Sequence, residues 1–384
     1  MRVVIVGPAG IHAGMEQNSR RWRRFFASSL PPLLAVALCL SVTLMLLAAM
    51  GYGAKPGQGR AAAMGNMAGI VWNKAMSHGN NYRVWFKSLL AATPLLLTGL
   101  AAAVAFRAGV LNIGGEGQFL VGAIAATAVG IFWHQSAWIV LPALILASMA
   151  AGAVLAAIAS LLDRWRNVPV VLSTLLLNFV AMRLVKIVLV GPLQGHGGQP
   201  ASDVLPMAAC LPQWIPQGGA LGLHLGCALA LAAAIAVGAI LRWTGFGFRL
   251  RMVGENPVAA RFAGVRVGRV AFASLSLSGA LAGLAGGIQI SGIVPNQFVL
   301  SMRDSGLGFA GIAVALLGRL RVGGVIAAAL FFGILHTAFD ALANEAGVPF
   351  VANQAAQGGI LIAMLILTHP LGLARLRRRF RWRS

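Results

Sequence analysis

The chain is poor in charge. Only 10% of its 384 residues are Asp, Glu, Lys or Arg, and 59% are apolar before its 48 glycines are counted. Soluble globular domains carry about 25% charged residues. So few charges cannot solvate a globule of this size, which excludes a soluble enzyme, a disordered protein and a secreted disulfide scaffold. Acidic residues are the scarcest charges, eight against 30 basic ones, so acid–base catalysis has few candidates. The cysteines are Cys39, Cys210 and Cys227. They are odd in number and far apart, with neither a disulfide framework nor zinc-ligand spacing. The phosphate-cradling Gly-x-x-x-x-Gly-Lys-Ser/Thr loop, the His-Glu-x-x-His zinc helix and the Gly-x-Ser-x-Gly nucleophile elbow are all missing. No catalytic, metal-ligating or cofactor-binding set is therefore expected. What remains is a polytopic membrane protein.

Apolar runs of near-spanning length recur along the chain. A bilayer core of roughly 30 Å takes about 20 apolar residues. The runs are Pro31–Met50, Ser88–Phe106, Gly114–Trp133, Trp138–Leu162, Val168–Val190, Ala220–Leu241, Val270–Ile290, Ser305–Gly318, Gly323–Leu342 and Asn353–Thr368. They predict an all-α transmembrane bundle of about ten spans, residues 31–370, with the short eighth run broken or re-entrant. A basic segment, 1–30, precedes it and a basic tail, 371–384, follows. The first run is longer than the roughly 7–15 apolar residues of a signal peptide, so it is read as an uncleaved span.

The net charge is +22. Nucleic acid is not the partner this suggests, because the arginines sit between apolar runs rather than on one polar face. With both termini cytoplasmic, most of them fall on the cytoplasmic side, including Arg20–Arg24, Arg107, Arg164, Arg166, Arg242–Arg269, Arg319, Arg321 and the tail. That asymmetry is the positive-inside rule, and anionic headgroups are its natural counter-charge. Two long segments, 51–87 and 191–219, then lie outside. The second is rich in Gly and Pro and reads as an ordered cap or a short periplasmic helix.

Three motifs stand out. Between Arg249 and Gly264, Asn256 suits a helix N-cap, Pro257 the first helical position and Gly264 a C-terminal stop. Val258 and Phe262, four apart, share a face. So short a helix is marginal alone. It either lies on lipid or docks a cytoplasmic partner. In Asn112-Ile-Gly-Gly-Glu-Gly-Gln118, Asn112, Glu116 and Gln118 stand at the edge of an apolar run, where a charge rarely faces lipid. Glu116 either pairs with an arginine, caps a helix, or meets a solute. In Asp304-Ser-Gly-Leu-Gly-Phe309 the glycines weaken a helix start and permit a broken helix beside a cavity. Asp304 is placed to cap this span from outside. Gly308, Gly311 and Ala315 make a close-packing face, and Phe309 either packs or stacks on a planar ligand. Gly-x-Gly clusters in the third and eighth runs hint at an old duplication. Ser173, Thr174, Asn178, Gln289, His336 and Asp340 are further polar groups in the runs, and His336 and Asp340, four apart, form a candidate pair.

Three blocks carry a specific likeness: Leu111-Asn-Ile-Gly-Gly-Glu-Gly-Gln118, Gly254-Glu-Asn-Pro-Val-Ala-Ala-Arg-Phe-Ala-Gly264 and Gly308-Phe-Ala-Gly-Ile-Ala-Val-Ala-Leu-Leu-Gly318. Ser173-Thr-Leu-Leu-Leu-Asn178 adds to it. The chain resembles permease subunits of ABC importers in the ribose/branched-chain-amino-acid permease superfamily. Within it, the nucleoside and simple-sugar group that works with basic-membrane-protein-type lipoproteins is most similar. The likeness runs from about Ser88 to Pro370.

The resemblance implies a transporter subunit of a bacterial cytoplasmic (inner) membrane rather than an enzyme. Residues 255–264 would be the coupling helix, with Gly254, Glu255, Asn256, Pro257, Ala259, Ala260, Arg261, Phe262 and Gly264 serving a separate ABC ATPase. ATP and Mg would be held on that partner and no cofactor on this chain. A second, non-identical permease and a periplasmic or lipid-anchored binding protein complete the implied assembly. The pathway between the two permeases would be lined by Asn112, Glu116, Gln118, Asn178, Asp304 and Phe309. Its solute would be a nucleoside first, a simple sugar second. The alternative is a self-sufficient secondary transporter or channel for a small polar solute. It needs its own ion-coupling site, and only His336 and Asp340 offer one.

Overall fold

A computed structural model describes residues 59–77, 82–197, 200–215, 223–293, 297–300 and 305–348, with isolated positions elsewhere. The helices are α1 (Arg60–Ser77), α2 (Tyr82–Arg107), α3 (Gly115–Phe132), α4 (Ala137–Arg166), α5 (Val170–Val190), α6 (Leu225–Trp243), α7 (Gly245–Glu255), α8 (Pro257–Phe262), α9 (Val267–Gly292), α10 (Leu307–Leu317) and α11 (Val322–Ala346). Seven of them, α2 to α6, α9 and α11, are long and apolar enough to cross a membrane. They coincide with the second to seventh and the ninth apolar runs. Apart from isolated positions, the first and tenth runs lie outside the described residues, as do the basic segment 1–30 and the tail 371–384.

Helix α10 is short, with 11 residues. At about 1.5 Å per residue it covers roughly half a bilayer core, as expected of a broken eighth run. It starts after Gly306, whose φ of +67° is left-handed. Glycine takes that conformation without the clash a Cβ would bring.

Residues 60–77 differ from the expectation of a loop, whereas the segment 191–219 is ordered, in keeping with the cap read from sequence. Residues 60–77 form α1, packed on α11. Its Ala63 and Met67 are fully buried. The pattern is amphipathic, but Gly65 and Gly69 thin it out, so it reads as a loop in sequence. The cap at 191–219 holds a one-turn 3-10 helix, Met207–Ala209, rather than an α-helix. A two-stranded antiparallel ribbon follows, β1 (Gln213–Ile215) with β2 (Leu223–His224). Ser202 fastens the cap inward: its N–H donates to the Phe298 carbonyl at 2.9 Å and its hydroxyl accepts from the Phe298 N–H at 3.0 Å.

Helices α2 and α9 sit at the centre and are the most enclosed spans, whereas α4, α5 and α6 turn most of their surface outward. The reason lies in side-chain size. Helix α9 reads Ser-Gly-Ala-Leu-Ala-Gly-Leu-Ala-Gly-Gly over 278–287. Its Gly279 and Gly283 face Gly152 and Ser148 of α4 so closely that a Cβ at Gly283 would overlap the Ser148 carbonyl. Lipid tails are as apolar as leucine, so spans associate through such close van der Waals packing. Exposed tryptophans mark both ends of the spans, Trp138 at the start of α4, and Trp165 and Trp243 at the ends of α4 and α6. Indole rings favour the headgroup level.

Candidate translocation wall and coupling surface

The N-termini of α3 and α10 meet inside the bundle. The Gly308 backbone lies against Gly115 and Glu116 with no room for a Cβ. The two clusters noted in the third and eighth runs are therefore in direct contact. A helix start leaves N–H groups without intrahelical partners and carries partial positive charge. Here each start is served by a side chain from a neighbouring helix. The fully buried Glu116 of α3 accepts from the N–H of Gly308 at 2.7 Å, the N–H of Gly306 at 3.1 Å and the Ser305 hydroxyl at 3.2 Å. Glu116 thus caps a helix, one of the three readings open in sequence, and among the described residues it forms no ion pair. Asp304, expected to cap the same span, lies outside the described residues.

Asn178 of α5 does the corresponding work for α3. Its side-chain oxygen accepts from the Gly117 N–H at 2.8 Å, and its amide donates to the Ile113 carbonyl at 2.9 Å. Asn112 accepts from the Gly114 N–H at 2.9 Å and donates to Gln118 and to Ser278, both at 2.9 Å. The Ser278 hydroxyl then donates to the Ala101 carbonyl of α2 at 2.6 Å. The Thr98 hydroxyl lies 3.1 Å from the Leu307 carbonyl. Asn112, Glu116, Gln118 and Asn178 are thus brought together, all buried, with their polar atoms turned on one another and on backbone. They hold the starts of α3 and α10 in register. Phe309, one position beyond this contact, is 36% exposed. His336 and Asp340 lie together on α11, Nδ1 to carboxylate 3.7 Å.

At one end of the bundle α7 and α8 form an elbow. The Thr244 hydroxyl caps α7 through the Gly247 N–H at 3.1 Å, and the Arg251 guanidinium donates to the Leu241 carbonyl of α6 at 2.7 Å. Leu250 and Val253 bury the inner face. Helix α8 is capped as the sequence predicts. Asn256 accepts from the N–H groups of Val258 and Ala259, both at 3.0 Å, Pro257 fills the first position, and Gly264 ends the turn at φ +80°. Ala260 is 1% exposed and anchors the helix, while Val258 at 62% and Phe262 at 89% project freely. Glu255 and Arg261 are exposed beside them.

One connection was not legible in sequence. Gly254, the penultimate residue of α7, lies against Gly109 and the Arg107 carbonyl, where a Cβ would overlap that carbonyl. Gly109, at φ +74°, begins the turn that leads to Asn112 and Glu116. The α7–α8 elbow therefore abuts the segment that leads to the caps of α3 and α10. Both glycines are visible in sequence; their contact is not, because they stand 145 positions apart. Ser278 was missed for a similar reason, as one serine in a run of small residues.

Residues 84–369 match the family described as "Branched-chain amino acid transport system / permease component". The guanosine ABC transporter permease protein NupP of Bacillus subtilis is 33% identical over 339 residues, 88% of this chain and 92% of its own. The glucose ABC transporter permease protein of Haloferax volcanii is 36% identical over 285 residues, 72% of this chain and 74% of its own. The nucleoside ABC transporter permease protein NupB of Lactococcus lactis is 29% identical over 270 residues, 68% of this chain and 74% of its own. A match over most of the spans, on top of the head-to-head helix starts and the capped elbow, settles the class: the chain is a multi-pass membrane permease subunit and belongs to the branched-chain amino acid transport system permease-component family.

Proposed function

We propose that this chain forms half of the translocation pathway of an ATP-driven importer for a nucleoside or, second, a simple sugar, and that α8 couples it to a separate ATPase. The observation that supports coupling most is the elbow itself. Helix α8 is too short to persist alone, yet it is capped, anchored by Ala260 and left with Phe262 and Val258 unburied. An exposed aromatic on a rigid small helix suits a groove in a partner protein. Movement of α8 has a direct route inward through the Gly254–Gly109 contact to the caps of α3 and α10. ATP binding on the partner then shifts a two-state equilibrium of the permease pair, with the docked helix supplying the differential contact. The Arg-rich ends put the elbow in the cytoplasm, both termini on the same side, and residues 31–50 and 353–368 across the membrane as the first and tenth spans of an inner-membrane protein. A second, non-identical permease and a periplasmic or lipid-anchored binding protein complete the assembly.

On this reading Phe309 faces the solute path and offers an aromatic face to a planar base, with Asp304 at its outer mouth. Asn112, Glu116, Gln118 and Asn178 shape the wall behind it. The nucleoside preference rests on the guanosine and nucleoside permeases among the relatives, and the sugar alternative on the glucose permease. The test is purification of the tagged chain from native membranes in mild detergent, with partners identified by mass spectrometry. An ATPase, a second permease and a binding lipoprotein are expected, and Glu255→Ala with Arg261→Ala should lose the ATPase. Transport that persists in ATPase-free vesicles would overturn the reading.

A further inference from the structure

Beside α8 lies a groove of about 500 Å³ lined by Arg164, Arg261, Val265, Arg266 and Arg269 and floored by Gly264 and Gly268. It collects four arginines from three places: the last turn of α4, α8 itself, and the start of α9. All four are exposed, and among the described residues none forms an ion pair with a carboxylate. Four like charges around one hollow repel one another, so the arrangement favours an anion between them. The floor is open. A Cβ at Gly264 or Gly268 would meet nothing within 4 Å. Arg266 precedes α9 without a side-chain cap, and the first turn of α9 has no acidic residue. The positive end of a 26-residue helix therefore adds to the guanidiniums.

The position of the groove identifies the anion. Helices α4 and α9 are packed spans, and the groove lies where their ends meet. Trp165, the residue after Arg164, is 72% exposed, and Trp243 at the matching end of α6 is 79% exposed. Indoles mark the headgroup level, and basic pockets between span ends at that level suit anionic headgroups. We propose that the groove holds the phosphate of an anionic phospholipid headgroup. Because Arg261 belongs both to the groove and to α8, the bound lipid would brace the coupling helix. That consequence, though not the binding itself, rests on the coupling role proposed above.

The test is native mass spectrometry of the full-length chain with its co-purifying partners, titrated with dioleoylphosphatidylglycerol, dioleoylphosphatidylcholine or inorganic phosphate. Phosphatidylglycerol should bind in clear preference to phosphatidylcholine. The double variant Arg266→Ala/Arg269→Ala should weaken phosphatidylglycerol binding by about tenfold or more and leave phosphatidylcholine unaffected. Arg266→Lys/Arg269→Lys should keep most of the preference, which separates lost charge from lost fold. An unchanged preference in the alanine variant would overturn the proposal. So would displacement of the lipid by millimolar phosphate, which would assign the groove to a free anion, or protection of both arginines by the ATPase with no lipid retained, which would assign it to the protein interface. The ATPase recovered with each variant is read from the same spectra. Lipid binding without any ATPase would count against the coupling role alone.

Discussion

Glu116 and His224 show what enclosure does to a single polar side chain. The Glu116 carboxylate meets three donors, two of them N–H groups at the start of α10. Glu116→Gln keeps the shape but turns one acceptor into a donor aimed at those N–H groups. A buried group left unsatisfied costs about 1–3 kcal/mol, so the thermal unfolding midpoint in detergent should fall by that equivalent. Glu116→Asp, one methylene shorter, should fail to restore it. His224 presents the opposite case. Its Nδ1 accepts from the Gly226 N–H at 3.0 Å and caps α6, which requires a neutral ring. Burial pushes its pKa down to about 4. The unfolded chain, titrating near 6.5, binds more protons than the native state between these values. Stability is therefore full above pH 6.5 and declines as pH falls toward 4, by about 2 kcal/mol at pH 4.5. Unfolding midpoints measured from pH 7.5 to 4.5 should show this slope, and His224→Asn should flatten it.

At the scale of the element, α8 lets stability be tested apart from the proposed partner binding. Its cap and its exposed face are different residues. Asn256→Ala removes the acceptor of two N–H groups and should lower stability by about 1 kcal/mol, visible as local loss of hydrogen-exchange protection over 257–263. Phe262→Ser removes a ring that touches little of this chain. Stability should stay within about 0.5 kcal/mol, while recovery of the ATPase in a pull-down is lost. Equal loss of ATPase and of folded yield in Phe262→Ser would show that the ring packs within the chain instead. Helices α3 and α10 make the complementary point. Neither carries its own N-cap side chain; each borrows one from a helix packed beside it, α3 from α5 and α10 from α3. The order of these helices is therefore set by shared polar atoms as well as by apolar packing.

Across the whole molecule, stability rests on close backbone approach along α9. Gly283→Leu would drive a side chain into Ser148 and Gly152 of α4. Nothing there can yield but backbone, so the expected outcome is loss of monodisperse protein on size exclusion. Gly65→Ala in α1 is the control, because its Cβ meets only open space and alanine is the better helix former. It should match or slightly exceed the parent in midpoint.

The sequence by itself determined the class and the seven helices, among the described residues, long and apolar enough to cross a membrane. Near absence of charge forces residues into lipid, and run length then fixes which segments cross, because the bilayer core has one thickness. It also determined the α8 caps, since Asn256, Pro257 and Gly264 act on atoms within a few positions of themselves. Tertiary structure alone decided where Glu116 aims its carboxylate, that Asn178 caps α3, and that Gly109 meets Gly254. These are relations between residues tens to hundreds of positions apart, and a polar side chain in a span only announces that some partner exists. It decided the fate of α1 as well, whose thin pattern becomes a helix once α11 covers Ala63 and Met67. Local chemistry is written in neighbouring residues, whereas the partner of a buried polar group depends on which helices pack, and that is settled by fitting whole surfaces of small side chains together.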